Sequence, residues 1–340
     1  MPPLESTGHL LPLSLPSQFV YYTHDSAARA GVQPDDKHSV LRACRKKLRA
    51  WLATEIPIQY DKKAIRIDAN DAGVTVYFAD GSQSTGDILV GADGVNSVVR
   101  QYLTDTKTQI VPMATIVGEV TLHNDEVKRQ LEIAHSAYVV DTKDGKNHPA
   151  RLFVGLDVIN PDKKSADYYW TLLWPDEGVT DAGLSNASAS AEQLLETARQ
   201  KMCLAPTELR EILELSGPQS IRRTPLIIRD MMLESLPAGR VTLLGDAAHP
   251  MTPFRGEGGV HAIKDALSLS RFLAQLAPSP TSFQCSQLIE SYHKEMLPRG
   301  VEAVKLSRSA FDGKTRSIPY AWGVPTRPIP KISVAFPVNA

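Results

Sequence analysis

The stretch GRVTLLGDAAHPMTPFRGEGGVHAIKDALSLSRFL, residues 239–273, limits what this chain can fold into more than any other. An apolar run, VTLL, reads as a buried strand and closes at Gly245-Asp246; an apolar-faced helix pattern, HAIKDALSLSRFLAQL, starts after Gly259. Between them Gly256, Gly258 and Gly259 remove Cβ atoms where backbone must come close to something. A strand, a glycine loop and a helix in this order handle a phosphate or a flat ring; the bland alternative is a tight connection whose glycines only relieve sterics.

A second stretch, DILVGADGVNSVVR (87–100), repeats the theme: a buried strand ends at Gly91, and a turn delivers Asp93 and Gly94 before Ser97 and Arg100. Taken alone, an Asp-Gly after a strand is a turn and no more.

Composition narrows the classes. A chain of 340 residues, 42% apolar and 22% charged, has length for roughly two domains of about 150 residues each. Its net charge of −1 supplies no field for nucleic acid or an anionic membrane, and the basic run Arg42, Arg45, Lys46, Lys47 and Arg49 is short and helical, so nucleic acid is set aside. No run approaches 18 apolar residues, and MPPLESTGHLLPLSLPSQ lacks a basic n-region, so a soluble, cytoplasmic protein without a transmembrane segment is expected. Cys44, Cys203 and Cys285 form no CxxC; no disulfide framework or metal site is expected, and all three read as small buried hydrophobes.

Along the chain, residues 1–37 are rich in Pro, Ser and Asp and read as an irregular segment. SVLRACRKKLRAWLAT places Leu41, Cys44, Leu48, Trp51 and Leu52 at helical spacing. Asp80-Gly81 separates the alternating strand VTVYF from the apolar ILV, a hairpin feeding a buried strand. ATIVGEVTLH, SAYVVDT, RLFVGLDVI and YYWTLLW are strand-like runs broken by KDGKN and NPDKKSAD; AEQLLETARQKM and PTELREILELS interrupt them as amphipathic helices. The Pro-rich tail after 310 reads as an extended or disordered arm.

Taken together the motifs are more specific than either alone. Asp93-Gly94 with Ser97 and Arg100, Gly245-Asp246-Ala247-Ala248-His249-Pro250 followed by Pro253 and the glycine loop, and the helix motif Arg45-x-x-Leu48-Arg49 resemble the FAD-dependent monooxygenases of the para-hydroxybenzoate hydroxylase type, particularly the branch of fungal secondary metabolism. The resemblance runs from about residue 38 to 310. It implies a mixed α/β fold: a Rossmann-like FAD/NAD(P)-binding domain in two parts, 38–110 and 226–310, around an inserted mixed β-sheet substrate domain, 111–225, with 311–340 as a C-terminal arm.

The resemblance also implies roles. Asp246 accepts a hydrogen bond from a ribityl hydroxyl. Pro253 and the segment from Gly256 through Gly258 and Gly259 lie against the isoalloxazine, and the next helix points its N-terminus at the ring edge where negative charge develops on reduction. Arg45 reaches the cofactor near its pyrophosphate. Asp93 and Gly94 link the diphosphate region with the nicotinamide donor, the carboxylate acting through Arg45 or another cation. His249 is structural, and His261 is a candidate near the chemistry.

Two departures stand out. The GxGxxG turn that cradles the ADP part of FAD in this family is absent before residue 73, so the domain reads as N-terminally incomplete, and FAD binding is a hypothesis for this chain. Val260 stands where many relatives carry Asn.

The chemistry implied is reduction of FAD by NAD(P)H and transfer of one oxygen atom of O2 to a small aromatic or polyketide- or terpenoid-type metabolite, as a hydroxylation or epoxidation. No protein nucleophile is required, no catalytic residue is assigned, and the oligomeric state is open. A non-redox isomerase or cyclase on the same scaffold, and a truncated, catalytically silent scaffold protein, stay open. A flavin halogenase is disfavoured because YYWTLLWP lacks the WxWxIP spacing.

Overall fold

The computed structural model describes the chain outside residues 1–14, 24–25, 38–39, 41–43, 144–148, 181–182, 223–225, 311–319, 322–323, 332, 335 and 337–340. The chain begins with β1 (Phe19–Thr23), β2 (Ser26–Val32) and α1 (Arg45–Leu52). It continues through β3 (Ala64–Asn70), β4 (Gly73–Phe78), β5 (Gln83–Gly86), β6 (Leu89–Gly91), α2 (Val98–Leu103) and β7 (Gln109–Ile110). Then come β8 (Met113–His123), α3 (Asp125–Ile133), β9 (Ala137–Lys143), β10 (Pro149–Ile159), β11 (Ser165–Pro175), α4 (Ala191–Lys201) and α5 (Thr207–Leu215). They are followed by β12 (Arg229–Asp230), β13 (Val241–Leu243), α6 (Gly258–Leu273) and α7 (Ser282–Ser309). They form two compact units: Met1–Pro57, Pro112–Ile227 and Gly323–Ala340 make one, Ile58–Val111 and Ile228–Trp322 the other.

The first unit is a sheet with helices on it. Its order is Arg327–Pro328, β2, β1, β9, β10, β11, β8, and only the β1–β9 pair is parallel. Period-two alternation sends Leu152, Val154, Leu156, Tyr168, Trp170 and Leu172 to one buried face. Apolar stripes of the helices complete the core, with Val127 and Leu131 from α3, Leu195 and Ala198 from α4, and Leu209, Ile212 and Leu213 from α5. Two polar groups in that core are paired, Trp170 Nε1 donating to Ser216 Oγ (2.9 Å) and Tyr138 Oη to Gln130 Oε1 (2.8 Å), while the buried Tyr168 hydroxyl has no hydrogen bond among the described residues. The opposite face carries a half-buried aromatic row, Tyr21, Phe19, Phe153 and Tyr169, with successive ring centroids 4.8, 6.0 and 5.5 Å apart.

Three expectations are corrected here. Within 1–37, of which 1–14 lie outside the described residues, the chain is not irregular, because β1 and β2 join the sheet; β1 gains its place by pairing in parallel with β9, far off in sequence. Residues up to Pro57 group with the sheet rather than with the glycine-loop motifs, and α1 buries none of its residues; Leu41 lies outside the described residues. Of the cysteines only Cys285 is buried, Cys44 being half-buried and Cys203 exposed. Of the arm, Arg327–Pro328 is extended and pairs with β2, while residues 311–319 lie outside the described residues, as does most of KDGKN.

The second unit holds β3, β4 and β5 as an antiparallel meander, whose β4–β5 turn carries Asp80-Gly81, and β6 and β13 as a parallel pair. Its core runs from Ile67, Val74 and Val76 through Val241 and Leu243 to Ile289, Tyr292 and Met296 of α7. Arg240, 5% exposed, clamps three segments by donating to Asp71 O (2.7 Å), Asp87 O (2.9 Å) and Pro280 O (3.3 Å). Asp230, fully buried, receives Arg308 of α7 in a bidentate pair at 2.5 Å through Nε and Nη2. Among the described residues no helix is long and apolar enough to cross a membrane.

His293 of α7 is 5% exposed and meets Thr242 Oγ1 at 2.9 Å; burial pulls its pKa down to about 4. The folded value lies below the unfolded one, so stability is whole above about pH 6.5 and falls between about pH 6.5 and pH 4, as the unfolded chain takes a proton that the native state refuses. Urea titrations at pH 7.5, 5.5 and 4 are expected to show this loss, and His293→Gln to flatten it; equal slopes for both proteins would remove His293 as the cause.

Candidate functional site

The two motifs meet because β6 and β13 pair in parallel. Leu89 N donates to Arg240 O (2.8 Å) and Leu244 N to Gly91 O (2.9 Å), so both strands end side by side and their turns face the same end of the pair. Arg100, 4% exposed, ties those turns together: Nη1 donates to Ala247 O (3.0 Å), across 147 residues, and Nη2 to Val95 O (2.5 Å). Burial lowers the pKa of its guanidinium against the opposing pull of Asp93.

Asp93 is occupied locally. Its carboxylate accepts Ser97 Oγ (2.5 Å) and the amides of Val98 (2.7 Å) and Val99 (3.3 Å), while Ser97 Oγ accepts Arg100 N (2.9 Å). Two side chains thus cap α2, whose first amides have no helical partner. Gly94, at φ +77°, has open space where a Cβ would stand.

Gly245 sits at φ +59°, and a Cβ there would come within 3.1 Å of Ala262 Cβ. Only glycine lets the chain turn this sharply against α6. Asp246 follows, exposed, and its carboxylate has no hydrogen bond or ion pair among the described residues. Pro253 opens a short 3₁₀ turn, Pro253–Arg255, which Gly256 ends at φ +65°. α6 then begins at Gly258, so Gly258 and Gly259 are its first two residues rather than the loop before it. No side chain caps that helix and no acid lies in its first turn; Glu257 is held instead by Arg255 (2.9 and 3.0 Å). Among the described residues the result is an uncapped, positively polarised helix end next to an unpartnered carboxylate, with nothing within 4 Å of a Cβ position at Gly259.

Behind this surface lies a buried layer. Asp265 of α6, fully buried, accepts Gly245 N (2.7 Å), faces His249 Nε2 (2.7 Å) and receives Arg299 Nη2 (2.9 Å). Burial works against its ionisation, but His249, the Gly245 amide and Arg299 outweigh it and hold the carboxyl below its ordinary range. Arg299 also meets His261 Nδ1 (3.3 Å) and Glu295 Oε1 (2.8 Å). Burial, then the neighbouring His249, Arg299 and Lys264, keep His261 below the usual histidine range against Glu257.

The second unit therefore brings together Asp93, Gly94, Gly245, Asp246, Pro253, Gly256, Gly258 and Gly259, whereas Arg45 belongs to the first unit. There Arg45 is exposed at the start of α1 and lines a cavity of about 690 Å³ with Lys46, Glu119, Asp167, Tyr169 and Arg222. Sequence reasoning passed over Asp265 and Arg299. The available signal was an aspartate on the apolar stripe of α6, in step with Ala262 and Leu269.

Residues 43–307 match the FAD binding domain family. The FAD-dependent monooxygenase thnD of Trichoderma harzianum is 40% identical over 349 residues, covering 100% of this chain and 85% of the relative. A Photorhabdus luminescens protein assigned as an FAD-containing monooxygenase superposes with a TM-score of 0.67 at 27% identity, covering 87% of this chain and 78% of that one. HpxO of Klebsiella pneumoniae, solved with FAD and uric acid, shares the fold with a TM-score of 0.66 at 19% identity, over 87% and 71% of the two chains. With the family matched across most of its length and a monooxygenase relative across all of it, the chain belongs to the FAD-dependent monooxygenases of the para-hydroxybenzoate hydroxylase type.

Proposed function

We propose that this chain binds FAD at the paired turns and hydroxylates or epoxidises a small aromatic or polyketide- or terpenoid-type metabolite with NAD(P)H and O2. The observation that carries the reading is Asp246: an exposed carboxylate with no partner among the described residues, at the end of β13, beside the uncapped end of α6. Such a pairing suits a ligand that donates a hydroxyl to the carboxylate and presents negative charge to the helix amides. The ribityl chain and the ring of FAD have these properties.

The residues fit the ribityl and ring part of the group. Asp246 would hold a ribityl hydroxyl. The backbone from Pro253 through Gly256, Gly258 and Gly259 would face the ring, since the glycines leave no Cβ in the way. The amides at the start of α6 would stabilise the anion that reduction creates, including at Val260, where a backbone amide replaces an asparagine side chain. Asp93, Gly94 and Arg100 would hold the neighbouring turn in register. When bound, FAD supplies the electron transfer from NAD(P)H and the activation of O2, for which no side chain here substitutes. His261, held neutral, is available at the first turn of α6 as a hydrogen-bond partner.

The test is the visible spectrum of the purified chain after incubation with FAD and desalting. A retained flavin band near about 450 nm, followed by substrate-dependent NAD(P)H oxidation and a product heavier by one oxygen atom, is the expected result. A flavin band with product formation independent of NAD(P)H would move the assignment to an isomerase or cyclase. A colourless protein would overturn the cofactor reading in favour of a silent scaffold.

A further inference from the structure

We infer that Asp265 is a positioning residue for the cofactor turn: it sets the Gly245-Asp246 backbone that presents the Asp246 carboxylate, and through Arg299 it sets His261. The inference rests on the proposed FAD site.

The geometry leads there from three sides. Gly245 N is the amide immediately before the peptide of Asp246, and its hydrogen bond to Asp265 Oδ2 (2.7 Å) joins the turn to the middle of α6 across 20 residues. The same oxygen faces His249 Nε2 at 2.7 Å. The ionised carboxylate only accepts, so Nε2–H is the donor of that bond. His249 Nδ1 is buried without a hydrogen bond among the described residues. His249 itself is wedged by α7, where a Cβ at Gly300 would stand 2.8 Å from its ring. The other carboxylate oxygen takes Arg299 Nη2 (2.9 Å), whose Nη1 meets His261 Nδ1 (3.3 Å) on the first turn of the same helix.

One buried carboxylate thus carries a backbone amide, an imidazole and a guanidinium, and all three come from outside its own helix. A purely structural ion pair needs only Arg299. The bond to Gly245 N gives Asp265 a bearing on the site, because it fixes the direction in which the following residue leaves the strand. Asp265 touches no cofactor or substrate position itself; it acts through Gly245 and Arg299.

Asp265→Asn tests this. The amide keeps the shape but cannot accept from three donors while burying two of its own hydrogens. Exchange of the Gly245 and Asp246 amides in the FAD-free chain is expected to quicken about tenfold or more. FAD affinity, read by flavin fluorescence on titration, is expected to fall about tenfold to a hundredfold. Asp230→Asn, which breaks the buried pair with Arg308 elsewhere in the same unit, is the control for lost stability and should leave FAD affinity within about twofold.

Wild-type exchange rates and affinity in Asp265→Asn would overturn the inference while leaving the FAD site standing. Equal loss of affinity in both variants would also overturn it, since destabilisation would then explain the effect. Wild-type protein that takes up no FAD would overturn the site and the inference together. If Asp265→Asn does not fold, Arg299→Gln, at a half-buried position, decides: affinity lowered about threefold to tenfold is the expected result, and no change is the contrary one.

Discussion

Asp246→Ala weakens FAD binding by about a hundredfold and leaves the melting temperature of the FAD-free chain within about 2 °C of wild type. Both halves follow from one fact. Asp246 is exposed and its carboxylate has no partner among the described residues, so its removal breaks nothing in the folded chain, and surface changes of that kind stay within about 0.5 kcal/mol. A charge-assisted hydrogen bond to a ligand hydroxyl is worth about 1.5–3 kcal/mol, which is roughly a factor of ten to a hundred and fifty in affinity. Fluorescence titration and calorimetry on the same preparation check the pair. Unchanged FAD affinity would remove Asp246 from the site, and a large fall in melting temperature would show a structural partner instead.

Gly118→Ala gives the largest expected loss of stability. Gly118 in β8 sits opposite Trp170 in β11, and a Cβ there would lie 2.2 Å from Trp170 Cε2 and 2.5 Å from its Nε1. The indole cannot step aside without cost, because it is fully buried and its Nε1 is bonded to Ser216 Oγ, which itself donates to Ile212 O (2.8 Å). Overpacking of this kind costs about 3 kcal/mol, or roughly 6–12 °C for a unit of this size. Differential scanning calorimetry should show the transition of the sheet unit lowered. An unchanged transition would mean that the ring and its serine move together. FAD affinity is expected to hold in the folded protein, since Gly118 lies outside the unit that carries the paired turns.

Much of the architecture was legible from pattern. The long strands β8, β10 and β11 announce themselves by alternation and length, and α4 and α5 by period 3.6 between polar turns. β1 and β2 were not legible. FVYYT is short, SAARAGV has no large apolar residue besides its valine, and both become strands by pairing with residues more than a hundred positions away or with each other. α1 shows the converse: a clear helical spacing, yet none of its residues is buried, because amphipathicity shows which face could be covered and not whether anything covers it.

The site divides in the same way. Glycine placement, the Gly245-Asp246 and Asp93-Gly94 turns and the helix after them could be read directly, because steric rules for backbone at positive φ and for strand ends are local. The start of α6 at Gly258 was misplaced by two residues, since an uncapped end leaves no side-chain signal. Tertiary structure alone decided how the charges are used. Asp93 and Asp246 look alike in sequence, each an acid beside a glycine after a buried strand. Yet one carboxylate is occupied by Ser97 and two amides of α2, and the other is unpartnered among the described residues. Asp265 was hidden within a helix until α7 brought it Arg299 and the turn after β13 brought it His249. The sequence by itself determined the long elements and the turns, whose energetics lie within a few residues. Which carboxylate is buried, which is paired and which is left for a ligand depends on partners brought from far along the chain, and only the fold supplies them.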